Sequence, residues 1–259
     1  MAQSAPDFVL VIKIGGSTLG AHDTSLDDIA ALHAEGKHLV VVHGGGATIS
    51  EWLERAGVPS RFERGLRVTD AATLDVVIAV LAGLVNKRLV AELQARGARA
   101  IGLSGVDGAI IRARRYGEAL GFVGEVVSVD AEALRGAAQD TVVVLAPIAV
   151  EEGAAQLLNI NADTAAGEVA AALHAEQLVF LTDVAGVMDG AGVVCDTLSA
   201  EEARGLLAEG TVAGGMIPKV EAALRAAAAG VPTAIADGRE AGTLRALLDG
   251  SSLAGTRIA

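Results

Sequence analysis

Two lysines sit where an uncompensated cation is costly. Lys13 nearly closes an apolar, β-branched run, Phe8–Ile14 (FVLVIKI), and is followed by Gly15, Gly16, Ser17 and Thr18. A fully apolar strand that ends in a Gly-Gly turn suits the carboxyl edge of a parallel sheet. Burying a lysine there is expensive unless it meets an anion. Glycines let the backbone approach a ligand closely enough for its N–H groups to cradle phosphate oxygens. The competing reading is a lysine snorkelling from a strand end beside an ordinary turn. Lys219 closes the string Gly214-Gly215-Met216-Ile217-Pro218-Lys219 and opens an Ala-rich stretch. A cation is unfavourable near a helix N-terminus, so this lysine points to something anionic.

Other polar groups cluster at predicted strand ends. The second apolar run, His38–Val42, leads into His43-Gly44-Gly45-Gly46. His43 has no His, Cys or carboxylate neighbours at metal-ligand spacing, so a structural histidine bonding the glycine turn is expected. Arg67, in RFERGLRVTD (Arg61–Asp70), carries a planar fork that matches a carboxylate in two-point contact. Arg61 and Arg64 read as a solvated basic turn, and Thr69 or Asp70 as the cap of the next helix. In Asn159-Ile160-Asn161-Ala162-Asp163-Thr164 the two asparagines alternate as on a strand, so both can face one way. Asp163 then reads as a cap for the following Ala-rich helix, which leaves the asparagines unexplained.

Two familiar phosphate fingerprints fail. The spacing Gly15 to Gly20 starts like a Walker loop, but Ala21 and His22 replace the required Lys and Ser/Thr. Gly44-Gly45-Gly46 starts like a dinucleotide loop, but Ile49 occupies the third glycine position.

The composition narrows the function classes. The chain has 259 residues, 52% of them hydrophobic but only 2% aromatic, and a net charge of −12 with one cysteine, Cys195. An acidic balance (pI about 4.8) lacks the basic, aromatic footprint of a nucleic-acid binder. No apolar run approaches the roughly 20 residues of a membrane span, and MAQSAPD lacks the features of a secretory signal. One cysteine excludes an intrachain disulfide. A cytoplasmic protein without nucleic-acid or membrane partners is expected.

To place these residues, the chain must supply strands and helices in alternation. Strands are predicted at Phe8–Ile14, His38–Val42, Ala100–Leu103, Thr141–Leu145, Leu178–Leu181 and Thr233–Ala236. Helices are predicted at Ser25–Glu35, Ala71–Arg96, Thr164–His174, Ala200–Ala208 and Lys219–Ala229. The alternation means βαβ units, a mainly parallel sheet and helices on both faces. Gly117, Gly121 and Gly124 punctuate Ile110–Val129, which reads as an antiparallel hairpin excursion. Ligands of such sheets sit at the strands' carboxyl ends, where Leu103-Ser104-Gly105 and Leu181-Thr182-Asp183 also fall.

KIGG at Lys13–Gly16, HGGG at His43–Gly46, GLRVTD at Gly65–Asp70, NINAD at Asn159–Asp163 and GGMIPK at Gly214–Lys219 resemble, in order and spacing, the motifs of the amino acid kinase family. The resemblance runs from Phe8 to Ile258 and is closest to members acting on N-acetyl-L-glutamate. It implies a three-layer α/β/α sandwich with about eight mainly parallel strands. It also implies ATP-dependent phosphorylation of the γ-carboxylate of N-acetylglutamate, the second step of arginine synthesis, with Mg²⁺ carried by the nucleotide and no metal site on the chain. An N-terminal lobe (1–172) would bind the amino acid and dimerise through Ala71–Arg96, and a C-terminal lobe (173–259) would bind ATP. By motif, Lys13 and Lys219 would neutralise the transferring phosphoryl group and Asp163 would position both. Gly16, Gly45 and Gly46 would offer backbone N–H groups to phosphoryl or substrate oxygens, and Gly15 would line the nucleotide site. Arg67 and Asn159, with Asn161 nearby, would hold the substrate. Asp183 and the stretch Thr211–Met216, including Gly214, would line the nucleotide site.

The chemistry agrees with the residues. A carboxylate of pKa roughly 4 is already an anion at neutral pH and needs no general base. Catalysis reduces to positioning and charge stabilisation, so no catalytic His or Cys is required. A sister kinase acting on carrier-linked 2-aminoadipate competes, through GLVNKRLV (Gly83–Val90), GLSGVDG (Gly102–Gly108) and the basic cluster Arg112, Arg114 and Arg115. A non-catalytic sensor on the same fold would be expected to lack Lys13, Lys219 or Asp163. Arginine-inhibited members carry an extra N-terminal helix. Seven residues precede Phe8, so the resemblance implies a homodimer insensitive to arginine.

Overall fold

All six strands read from the sequence are present, and they form six consecutive strands of one sheet, reaching one of its edges. The computed structural model describes residues 9–15, 24–249 and 255–259; Phe8 and Gly16–Gly20 lie outside them. Numbered along the chain, the strands are β1 (Val9–Ile14), β2 (His38–His43), β3 (Phe62–Glu63), β4 (Leu66–Arg67), β5 (Ala100–Ser104), β6 (Ile111–Arg115), β7 (Gly124–Val129), β8 (Val142–Ala146), β9 (Ile148–Glu151), β10 (Leu157–Asn159), β11 (Gln177–Thr182), β12 (Thr197–Leu198), β13 (Thr233–Asp237) and β14 (Thr256–Ile258). The α-helices are α1 (Ser25–Ala34), α2 (Gly46–Arg55), α3 (Ala71–Ile78), α4 (Asn86–Ala95), α5 (Ala131–Ala138), α6 (Ala162–Leu173), α7 (Ala200–Ala208), α8 (Met216–Ala228) and α9 (Thr243–Leu248).

The main sheet has eight strands in the order β12-β14-β13-β11-β1-β2-β8-β5. Its six central and right-hand strands run parallel, and only β14 pairs antiparallel, with β13. A parallel sheet needs cover on both faces, and side-chain alternation along β1 and β2 divides that cover. Val9, Val11, Val40 and Val42 face a core shared with α5, α6 and α8. Leu10, Ile12, Ile14, Leu39 and Val41 face the other core, shared with α1, α2, α4 and α9. The three-layer α/β/α sandwich follows. A boundary at 172/173 falls at the end of α6 and divides the main sheet into two four-strand halves that meet where β1 pairs with β11.

The hairpin excursion is real: β6 and β7 pair antiparallel, and β9 and β10 complete a four-stranded side sheet in the order β10-β9-β6-β7. The long helix 71–95 is also present, but it is not uniform. Ala79–Val85 is a π-helical segment between α3 and α4. The elements absent from the sequence reading are short or glycine-led. They include α2, which starts within the glycine run, and the two-residue strands β3 and β4.

Candidate active site

The parity that builds the two cores also aims the first lysine. Lys13 shares the side of Val9 and Val11, so it points to the layer holding α6 and α8. It is only 5% exposed. Its Nζ stands 2.6 Å from Asp163 Oδ1, while Lys219 Nζ stands 3.2 Å from Asp163 Oδ2. Lys219 also donates to the Gly215 carbonyl at 3.0 Å. One carboxylate thus holds two ammonium groups, leaving a net positive charge at a nearly dry strand end. Burial pushes the Lys13 ammonium below its ordinary pKa; Asp163 opposes this and Lys219 adds to it.

Helix packing sets this geometry. A Cβ at Gly167 would lie 2.8 Å from the Ala222 carbonyl oxygen, so α6 and α8 meet backbone to backbone. Asp163 lies one turn before Gly167 and Lys219 one turn before Ala223, which brings carboxylate and ammonium together above the contact. The cap of α6 is Asn161 rather than Asp163. Asn161 Oδ1 accepts from the backbone N–H of Asp163 and Thr164 at 2.9 and 3.0 Å. This leaves the Asp163 carboxylate for the lysines, which is why a residue inside the first turn can serve them. At the second predicted cap the carboxylate is used: Asp70 accepts from Thr73 N at 2.8 Å.

Beside the triad lies a cavity of about 210 Å³. Lys13, Gly45, Gly46, Arg67, Asn159 and Asn161 all line it, together with Asp163. Gly45 caps α2 and Gly46 begins it, so the unpaired N–H groups of that helix end face the same space. Arg67 reaches in from β4, buried and pre-positioned. It donates to Ser60 Oγ (2.5 Å), the Gly46 carbonyl (3.0 Å) and Ser50 Oγ (3.0 Å), and stacks 4.6 Å from the Phe62 ring. Three of its five N–H donors are engaged, and burial lowers its pKa without discharging it. Asn159 donates to Thr69 Oγ1 at 3.1 Å, and Thr69 in turn donates to the Arg67 carbonyl. Arg61 and Arg64 are exposed on the β3–β4 hairpin, as the sequence suggests.

The apolar half of the lining escaped the sequence reading. Ile49, Phe62, Leu81, Val123 and Ile160 come from five different elements or turns. Each looks like ordinary core or loop material when read alone, so nothing in the linear pattern marks it.

The remaining candidates sit along the other half of the sheet edge. Gly15 extends β1, its N–H bonded to the Leu181 carbonyl at 3.1 Å; Gly16 lies outside the described residues. Asp183 follows β11, is exposed, and is close enough to stabilise the Lys13 ammonium. Thr211, Gly214 and Met216 belong to the α7–α8 segment, tied to the triad through the Gly215 carbonyl that Lys219 holds. Among the described residues no group of three or more His, Cys, Asp or Glu is arranged to hold a metal ion.

His43 is fully buried, and its Nδ1 lies 3.0 Å from the Gly44 carbonyl, as a structural histidine should. Burial depresses its pKa to about 4. The basic cluster on β6 is largely compensated. Arg114 pairs with Glu125 at 2.9 Å, and Arg115 pairs with Glu151 at 3.2 Å while stacking on Phe122.

A doubly covered parallel sheet with two lysines sharing one aspartate at its carboxyl edge defines a protein that handles an anionic ligand. The Amino acid kinase family model fits residues 8–237, and the chain belongs to that family. Its relatives narrow the class. An acetylglutamate kinase of Dehalococcoides mccartyi is 46% identical over 237 residues, 89% of this chain and 87% of that protein. An acetylglutamate kinase of Prochlorococcus marinus is 48% identical over 241 residues, 89% of this chain and 77% of that one. Among solved structures, N-acetylglutamate synthase of Neisseria gonorrhoeae, complexed with coenzyme A and N-acetyl-glutamate, superposes with a TM-score of 0.85 at 29% identity, over 98% of this chain and 60% of that one. A Streptococcus mutans protein gives the same TM-score at 30% identity, over 98% and 99%.

Proposed function

We propose that the chain is an acetylglutamate kinase, transferring the γ-phosphoryl group of ATP to the γ-carboxylate of N-acetyl-L-glutamate. The observation that carries this reading is the triad of buried Lys13 and Asp163 with partly buried Lys219, beside a cavity lined by Arg67 and the glycine-led end of α2. A small acid fits the cavity, and the excess positive charge fits a phosphoryl group in transfer.

ATP, with its Mg²⁺, supplies the phosphoryl group. The free donors of Arg67 and the Asn159 amide hold the acid's carboxylate and its neighbouring polar groups, with Asn161 beside them. Gly45 and Gly46 present N–H groups, and the α2 dipole, to the acceptor or phosphoryl oxygens. Lys13 and Lys219 offset the repulsion between two anions, and Asp163 fixes where both ammonium groups stand. The acceptor is ionised at neutral pH, so no side chain has to take a proton. Gly15, Asp183, Thr211, Gly214 and Met216 line the nucleotide's path on the β11–α8 half. Residues 1–172 act as the acceptor lobe and 173–259 as the nucleotide lobe. A cytoplasmic homodimer joined through the 71–96 helix completes the reading.

The test is ADP release coupled to a reporter, with N-acetylglutamate, glutamate and carrier-linked 2-aminoadipate in parallel, each with and without Mg²⁺. Mg²⁺-dependent turnover on free N-acetylglutamate is expected. Turnover confined to the carrier-linked acid would move the protein to a sister activity, and silence on all three would overturn the kinase reading.

A further inference from the structure

The π-helical segment Ala79–Val85 contains no motif singled out for catalysis, yet it packs directly against one. A Cβ on Gly45 would stand 2.7 Å from Leu81 Cδ2 and 3.4 Å from Val85 Cγ2, so the segment presses on the glycine loop. Immediately after it comes Asn86, a fully buried amide inside a helix. Asn86 Nδ2 lies 3.3 Å from His43 Nε2, 3.2 Å from the Leu103 carbonyl and 2.9 Å from the Val144 carbonyl. Lys87 Nζ donates to Asn86 Oδ1 at 3.0 Å, which fixes the orientation of the amide. A Cβ on Gly102 would fall 1.9 Å from that same oxygen, so β5 is also cut to fit it.

The winding explains why one segment does both jobs. In an α-helix, residues five apart point about 140° away from each other. The wider π turn brings residues four and five apart onto one side. Leu81, Val85 and Asn86 therefore all face the end of β2. The Gly44 carbonyl can only accept, so the imidazole proton is on His43 Nδ1. Nε2 is then an acceptor facing the Asn86 amide, whose two hydrogens it shares with the Leu103 and Val144 carbonyls. A chain of contacts thus runs from the π turn through His43 into the loop that lines the cavity.

We infer that Asn86 is a positioning residue for phosphoryl transfer: through His43 it sets the tautomer and the placement of the Gly44–Gly46 loop that receives the acceptor. This rests on the proposed kinase activity. Asn86→Asp keeps the shape and removes the donor. The expected result is a fall in kcat/KM for N-acetylglutamate of roughly 100-fold, the size expected from a misplaced reacting group, with KM for ATP held within about twofold. By ¹⁵N NMR, His43 Nε2 is expected to be unprotonated in the wild type and protonated in the Asp variant, with shifts at the Gly44, Gly45 and Gly46 amides. Asn86→Ser, which leaves room for water, serves if the Asp variant does not fold, with the same losses and loop shifts expected. A folded variant with wild-type loop amides and an unchanged His43 tautomer would overturn the inference, as would equal loss toward both substrates. Wild-type silence on N-acetylglutamate, with the NMR changes intact, would instead remove the kinase reading and leave the loop coupling standing.

Discussion

The two halves of the sheet edge solve opposite problems. The half formed by β1, β2 and β8 closes around a cavity of about 210 Å³ with buried or half-buried polar groups, each already held by the protein: Arg67 by two serines and a carbonyl, Asn159 by Thr69, His43 by Asn86. The half formed by β11, β13 and the start of α8 offers exposed groups, among them Asp183, Gly214 and Gly215. Asp163 and its lysines sit between them. A small acid has few atoms to recognise, so recognition requires pre-positioned groups in a dry site. A nucleotide is larger and charged, and can be held by many weaker contacts along an open edge. The comparison predicts that substitutions on the first half are severe and selective for the acceptor, and that those on the second are mild and selective for ATP.

The largest effect falls on the residue both halves share. Asp163→Asn leaves one buried and one partly buried ammonium group without their carboxylate. We expect kcat to fall roughly 10³-fold, the upper end of the loss typical of a single transition-state contact, because both lysines are displaced together. Steady-state kinetics with both substrates varied, and a melting curve to establish folding, check this. A fall of only a few-fold would mean the lysines hold their places without Asp163.

The enclosed half should also be the acid-sensitive one. His43 titrates at about 4 in the folded protein, well below its ordinary 6.5. The unfolded chain therefore binds this proton first as pH falls, so stability is lost between pH 6.5 and about 4 and is fully present above it. The shift corresponds to about 3 kcal/mol, an order-of-magnitude figure. Urea unfolding at pH 7 and pH 4.5 measures it: His43→Gln should show a shallower loss across this window than the wild type. Equal slopes would show that other groups dominate acid unfolding.

Next in size is Arg67→Lys. An ammonium keeps the charge but cannot reproduce a fork held by Ser60, Ser50 and the Gly46 carbonyl. KM for the acceptor should rise about 30-fold, equivalent to a charge-assisted hydrogen bond of about 2 kcal/mol, while KM for ATP stays unchanged. A matching rise in KM for ATP would break the division between the two halves.

What could be read in the sequence follows the same division, for physical reasons. Strands β1, β2 and β8 are apolar, β-branched runs, and burial on both faces writes itself into consecutive residues such as Val40–Val42. Lys13, Arg67 and Asn159 were legible because a charged or amide group among glycines and apolar residues contradicts its surroundings. Asp163, by contrast, read as a cap, and its place beside the lysines came only from the family resemblance. The role of Asn161 as the cap of α6 was less legible, because Asn161 and Asp163 are equally good caps by type and the choice is made by backbone geometry. The π turn was not legible. Ala79–Val85 reads as helix, and its extra width appears only where Leu81 meets Gly45 and Asn86 meets His43. The apolar cavity wall was hidden for a related reason, since its members converge from separated segments.

The smallest effect tests the open half. Asp183 is exposed and follows β11, and its carboxylate favours both the Lys13 and the Arg239 cations. Solvent screens an exposed charge, so its removal should matter far less than that of Asp163. For Asp183→Asn we expect KM for ATP to change by about threefold, no more than a surface electrostatic contact of ~0.7 kcal/mol provides. The acceptor's KM should not move, and added salt should shrink the difference between variant and wild type. Fluorescence titration with an ATP analogue, in the absence of acceptor, separates binding from turnover. If Asp183→Asn instead changed acceptor binding and left the nucleotide untouched, the two halves would have been assigned the wrong way round. If it abolished turnover at saturating ATP, Asp183 would belong with the lysines as part of the charge-handling centre, and the open edge would be less tolerant than its exposure implies.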